Sequence, residues 1–299
     1  MSLDTSRPDK AIRKLRRFLK KSDSRPSPEE IHDFRTHTRR FEATLEAFAM
    51  SFRRNEKRLL RDLSRLRKRA GKIRDMDVLT ACASTARLDG EEDCALQLVE
   101  HLGARRYAQA KKMRALVDEY GPVLRRRLRR SRGRLQKLLL DEQTQKENRP
   151  SPTLTAMATA LELSSKLHTP VRLDRRNLHS YRLKIKELRS VLQMSNSADS
   201  QPFVKKLGEV KDAIGEWHDW KELVAMAPEV LDHGGHCELL RELKRIDQVK
   251  FEKARSLAYG MRQTFLDSQK EVPADSKNRH RRKLKVTQPV LVATSAIAN

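Results

Sequence analysis

An all-α fold is predicted by three features of this 299-residue chain. Turn material is scarce, with Gly 10 and Pro 11, whereas all-β folds need many tight turns. Apolar residues recur at steps of 3 and 4, and no segment shows convincing alternation of period 2. Hydrophobic residues at 37% beside charged residues at 35% fit a helix-rich chain better than a disordered one.

The elements follow in order. A first helix starts near Pro8 and runs through Ile12, Leu15, Phe18 and Leu19. Ser27-Pro28-Glu29-Glu30 is a start signal, with Ser27 as cap, Pro28 at the first helical position and acids in the first turn. The helix behind it carries Ile31, Phe34, Thr38, Phe41, Leu45 and Phe48, and another carries Leu59, Leu63, Leu66, Ala70 and Ile73. Further patterns cover about 76–88, 91–119 and 122–141. Residues 143–152 (QTQKENRPSP) are polar, end in two prolines and are the expected linker. After it come patterns at about 153–168, 172–194, 202–214, 216–228 and 236–268. The expected organisation is a helical half at 1–142, the linker, a second half at 153–268, and a disordered basic tail at 269–299.

Charge narrows the function. Lys+Arg 65 against Asp+Glu 40 leaves +25, with a pI near 10.4, which points to a polyanionic partner. No apolar run approaches the roughly 20 residues of a membrane helix, so no membrane association is expected. Met1–Lys21 has no apolar stretch of the secretory kind, and Cys82, Cys94 and Cys237 have no CxxC spacing. A cytoplasmic location is expected. Oligomeric state is not legible.

The chain repeats itself. A shift of 147 carries Ile31, Phe34, Phe41 and Leu45 onto Leu178, Tyr181, Leu188 and Leu192. The same shift carries His32 to His179, Arg35 to Arg182 and Arg39 to Lys186. A shift of 144 carries Leu63, Leu66, Ala70 and Ile73 onto Leu207, Val210, Ile214 and Trp217. It also matches Gly71 with Gly215, Asp75 with Asp219 and Arg67 with Lys211. Two related helical halves are the expected result.

Within the repeat lies the candidate chemistry. Positions i, i+3 and i+7 fall within roughly 60° of one another on a helix. His32, Arg35 and Arg39 therefore form one polar stripe beside the apolar stripe, and His179, Arg182 and Lys186 form its twin. Like charges one turn apart repel, and an anion lying across the stripe reverses that cost. Arg61, Arg65, Lys68 and Lys72 add a basic stripe on the next helix, with Arg67 and Arg74 on a neighbouring face. Arg125–Arg134 holds seven arginines in ten residues that point all around a helix. They are either a solvated segment or a non-specific polyanion contact.

His32-x-x-Arg35-x-x-x-Arg39-Arg40, His179-x-x-Arg182-x-x-x-Lys186-x-x-Arg189, and the pair G-K-I-R-D-M-D-V and G-E-W-H-D-W-K-E resemble the CHAD family, the conserved histidine α-helical domains. The resemblance covers most of residues 8–268. It implies two pseudo-symmetric four-helix halves and a basic surface that binds inorganic polyphosphate; the residues themselves lead to the expectation of no catalysis, no cofactor and no metal. The site it implies takes His32, Arg35, Arg39 and Arg40 from the first motif and Arg65, Arg67, Lys68, Lys72 and Arg74 from the helix after it. From the second half it takes His179, Arg182, Lys184, Lys186 and Arg189, then Lys211 and His218. The chain departs from the pattern at Glu42 and Glu187, where such helices often carry a basic residue, and at His218, which stands opposite Arg74 in the repeat. The resemblance also places the protein with cytoplasmic polyphosphate granules.

Three rival classes have weaker support. A zinc site needs three or four converging ligands, whereas His32 and His37 diverge, His233-Gly-Gly-His236 is a lone pair, and Arg35 and Arg39 repel a dication. Phosphate hydrolysis needs clustered carboxylates or a glycine-rich phosphate loop, and Asp75 and Asp77 diverge by about 200° on a helix. Asp75 and Asp219 are better read as pinning nearby Arg or His side chains. Nucleic acid is the main alternative partner, since +25 guarantees some non-specific affinity. Its weakness is that 2 Trp, 4 Tyr and 8 Phe, several in apolar stripes, leave few rings to stack bases.

Overall fold

A computed structural model describes residues 6–21, 25–47, 50, 53–86, 92–144, 152–195, 200–232 and 237–267. The fold is all-α, with eight α-helices and no strand among the described residues. They are α1 (Ser6–Lys21), α2 (Pro28–Ala47), α3 (Arg54–Thr85), α4 (Glu92–Thr144), α5 (Pro152–Lys166), α6 (Leu178–Ser195), α7 (Gln201–Met226) and α8 (Glu238–Arg262). Most of the 143–152 stretch, the tail from 269 and His233 with His236 lie outside the described residues.

Local chemistry explains where the helices begin. At α2 the Ser27 hydroxyl accepts the Glu30 amide at 3.2 Å, and the Glu30 carboxylate accepts the Ser27 amide at 2.9 Å. This is a reciprocal capping box with Pro28 at the first turn. The pattern from 172 misplaces the start of α6. There the Asp174 carboxylate accepts the amides of Arg176 and Asn177, at 2.8 and 3.0 Å. Such side-chain acceptors offer the backbone an alternative to the helix, so residues 174–177 turn instead.

Three expected breaks are absent. Residues 59–73 and 76–85 belong to one α3, 92–119 and 122–141 to one α4, and 202–214 and 216–226 to one α7. Pro122 lies inside α4. It withdraws one donor at about 3 kcal/mol, which burial of Val117, Gly121, Leu124 and Leu128 outweighs. Arg125 reinforces that region by donating to the Leu19 carbonyl of α1 at 2.6 Å.

Three apolar cores hold these helices. One joins α1–α4 through Ile12, Leu15, Phe34, Phe41, Leu63 and Leu124. A second joins α5–α8 through Leu163, Tyr181, Ile185, Ile214, Trp217 and Ala258. The third is shared: Met76 and Leu79 of α3 and Leu98 and Leu102 of α4 pack with Trp220 and Leu223 of α7 and Leu243 of α8. Thus α3 and α7 each run from a core of their own into the common one.

Buried polar groups lock the bundles. Glu56, fully buried, accepts from Ser131 at 2.9 Å and from Arg134 at 3.0 and 2.9 Å, tying α3 to α4. Arg127 reaches Asp62 at 2.6 Å along the same seam. Buried Arg262 of α8 donates to the Tyr181 hydroxyl at 3.0 Å and to the carbonyls of Pro170 and Val171 at 2.8 and 3.1 Å. Arg262→Ala strands those acceptors and is expected to cost about 2 kcal/mol or more in urea unfolding. Arg241→Ala, which removes an exposed pair with Glu238, is expected to stay within about 0.5 kcal/mol.

Candidate anion-binding face

Arg35 of α2 lies across Gly71 of α3. A Cβ added at Gly71 meets its Nη1 at 2.8 Å. In the second half Arg182 of α6 lies across Gly215 of α7, with its Nη2 at 2.8 Å and its Cζ and Nε at 3.2 Å from such a Cβ. Arg182 Nε also donates to the Lys211 carbonyl at 3.0 Å. Each guanidinium therefore rests on bare backbone in a groove that only glycine leaves open. The two glycines coincide in the repeat, as do the two arginines. A third contact of this kind puts Arg189 over Gly208, at 3.4 Å.

The stripes meet. Lys186 of α6 is half-buried, and its ammonium is held below the ordinary range by loss of water, then by Arg39, Arg182, Lys211 and Arg35 in turn. Arg39 and Arg35 belong to α2, so cations of both stripes share one region. Arg35 is likewise depressed, by desolvation first, with Asp75 opposing and Arg39, Arg74 and Arg67 adding to the shift. Such crowding disfavours charge on Arg35 and Lys186, and a polyanion over the region relieves it.

Carboxylates stand beside the cations. Loss of water raises both Asp75 and Asp219 above the usual range. Arg35 is the strongest cation acting on Asp75, and His218, then Arg182, on Asp219. Asp75, Asp219, His218 and Glu222 line a cleft of about 530 Å³ with Lys72, Arg105 and Gln109. Among the described residues no group of three or more His, Cys, Asp or Glu is arranged to hold a metal ion.

The histidines differ. His179 packs edge-on against His218, ring centroids 4.2 Å apart, and its Nδ1 is buried without a partner. Desolvation, then His218, Arg182 and Lys221, lower its pKa, with Glu222 opposing. His32 is exposed, with its Nε2 3.5 Å from the Thr36 hydroxyl.

Not every expected residue joins this region. Lys184 donates to the carbonyls of Lys166 and Thr169, at 3.2 and 3.0 Å, and so ties down the end of α5. Arg65 lies in the field of Tyr120 on α4, and Arg40 neighbours His37. Arg67 is paired with Glu42 at 3.2 Å, and Lys211 with Asp212 at 2.7 Å. Lys68, exposed on α3, shares a face with Gly71 and Asp75 by its spacing. Arg105 and Gln109 come from α4 by tertiary packing and have no counterpart in the repeat. Gly71 and Gly215 were visible as a repeated match, and an interior helical glycine, costly by about 1 kcal/mol, is the signal that marks them.

Gly215→Ala is expected to destabilise the protein, because the new methyl displaces Arg182 from packed surroundings. Gly103→Ala, where nothing lies within 4 Å, is expected to stabilise by up to about 1 kcal/mol. Thermal unfolding of the two variants side by side checks the contrast.

Comparison with known proteins agrees with this architecture. The model of the CHAD domain matches residues 9–228. No curated protein and no solved structure matches the chain. The all-α fold and a family match across most of the chain lead to one assignment: this protein belongs to the CHAD domain family.

Proposed function

We propose that the chain binds inorganic polyphosphate, without catalysing a reaction on it, along the region where the α2 and α6 stripes meet. The observation that carries this reading is the crowding of Lys186 by Arg39 and Arg35 across the two helices. A polymer with about one negative charge per phosphate suits a row of neighbouring cations. Arg35 and Arg182 offer bidentate donors in fixed orientation, while Arg39 and Lys186 supply charge that adjusts to the chain. Residues 1–142 and 153–268 each contribute one stripe in this reading. The protein acts in the cytoplasm, on polyphosphate granules.

A direct test is competition. RNA at tenfold mass excess is expected to leave long polyphosphate bound at physiological salt, and displacement by RNA defeats the proposal.

Chain length follows from the duplicated stripes. Each stripe spans roughly 10 Å at about 1.5 Å per residue, so triphosphate neutralises part of one, and a long chain reaches both. The second contact is then intramolecular and gains from effective concentration. Affinity is expected to climb with chain length and level off. Replacing Arg39 and Lys186 with Ala is expected to weaken long chains far more than triphosphate, and to flatten the salt slope by about one to two. Calorimetry against a chain-length series, at several salt concentrations, reads both quantities.

The pH dependence has a definite sign. The His179 pKa lies below its ordinary value of about 6.5 in the free protein, so the ring is neutral at pH 7. A bound polyanion raises that pKa, and binding therefore takes up protons. Affinity is expected to strengthen as pH falls from 7 toward 6. His179→Gln is expected to reduce that gain, and chelators to leave binding unchanged.

A further inference from the structure

The arginine run of α4 is sorted by the fold into two classes. Leu124, Leu128, Ser131 and Leu135 face inward, so at about 100° per residue the arginines occupy the rest of the circumference. Those at its edges are engaged. Arg125 and Arg132 reach the Leu19 carbonyl and Asp9 of α1, and Arg127 and Arg134 reach Asp62 and Glu56 of α3. Arg126, Arg129 and Arg130 point outward and are exposed. No ion pair is formed by these three among the described residues.

Basic clefts flank this ridge. Between α3 and α4 a cleft of about 450 Å³ is bordered by Arg54, Arg58, Arg126 and Arg130. Between α1 and α4 one of about 690 Å³ is bordered by Arg13, Arg17, Lys20 and Arg129. No acidic and no aromatic residue lines either cleft. Helix α4 packs on α1 and α3, as α2 does, so α4 stands diagonally across its bundle from the stripe of Arg35 and Arg39.

We propose that this α4 ridge with its two clefts is a second polyphosphate-binding face, on the opposite side of the first bundle, so that one molecule bridges two polyphosphate segments. The proposal rests on the polyphosphate reading of the α2/α6 face. Concave, arginine-rich walls suit phosphate oxygens. The absence of rings removes the stacking on which single-stranded nucleic acid binding relies.

Stoichiometry separates the two faces. Polyphosphate of the shortest length that reaches both stripes of the α2/α6 face, and so occupies that face once, is the short chain titrated calorimetrically into the full chain, into R126Q/R129Q/R130Q and into R39Q/K186Q. All five positions are outside the apolar cores, and matching circular dichroism and melting curves verify folding. The unmodified protein is expected to bind two short chains, and each variant one. With long-chain polymer, light scattering from cross-bridged assemblies is expected to fall at least fivefold in both variants. One short chain per unmodified protein, lost only in R39Q/K186Q, overturns the second face and leaves the first standing. Unchanged binding by R39Q/K186Q overturns the first face instead. Duplex DNA displacing polyphosphate from R39Q/K186Q at equal phosphate concentration makes the ridge a nucleic-acid surface and also overturns the proposal.

Discussion

The structure depends on holding like-charged side chains of α2 and α6 close together. Arg35, Arg39, Arg182 and Lys186 repel one another, and water is partly withdrawn from Arg35 and Lys186. Their positions survive because the two arginines are pressed onto the backbone of α3 and α7 at Gly71 and Gly215, with Asp75 and Asp219 nearby. The carboxylates moderate the repulsion.

Elsewhere the same residue types do the reverse. Arg127, Arg132 and Arg134 close ion pairs with Asp62, Asp9 and Glu56 and serve only to bind helices together. Arg262 buries itself among carbonyls and a tyrosine ring.

Much of this was legible in the sequence. The helical class, the cap at Ser27 and the paired stripes follow from apolar spacing and turn chemistry, which are local properties. The extent of the helices was not legible. Gly215 and Pro122 are breakers in isolation, and burial of their surroundings overrides them. The fate of individual cations was also hidden: Lys184 and Lys186 are two residues apart, yet one ties down the end of α5 and the other faces α2. That distinction depends on which helix lies alongside. His218 and His179 meet only because α6 packs on α7, and the repeat alone pairs His218 with Arg74.

The course of α3 and α7 adds a mechanical point. The turns that seat Arg35 and Arg182 are continuous with the turns that bury Met76, Leu79, Trp220 and Leu223 in the common core. Two rods clamped at one end keep a set gauge at the other. The interval between the two guanidiniums, and hence the pitch of any ladder of negative charge laid across them, is thus calibrated by hydrocarbon volume some two turns away. The setting of this interval lies in the apolar side chains of the common core.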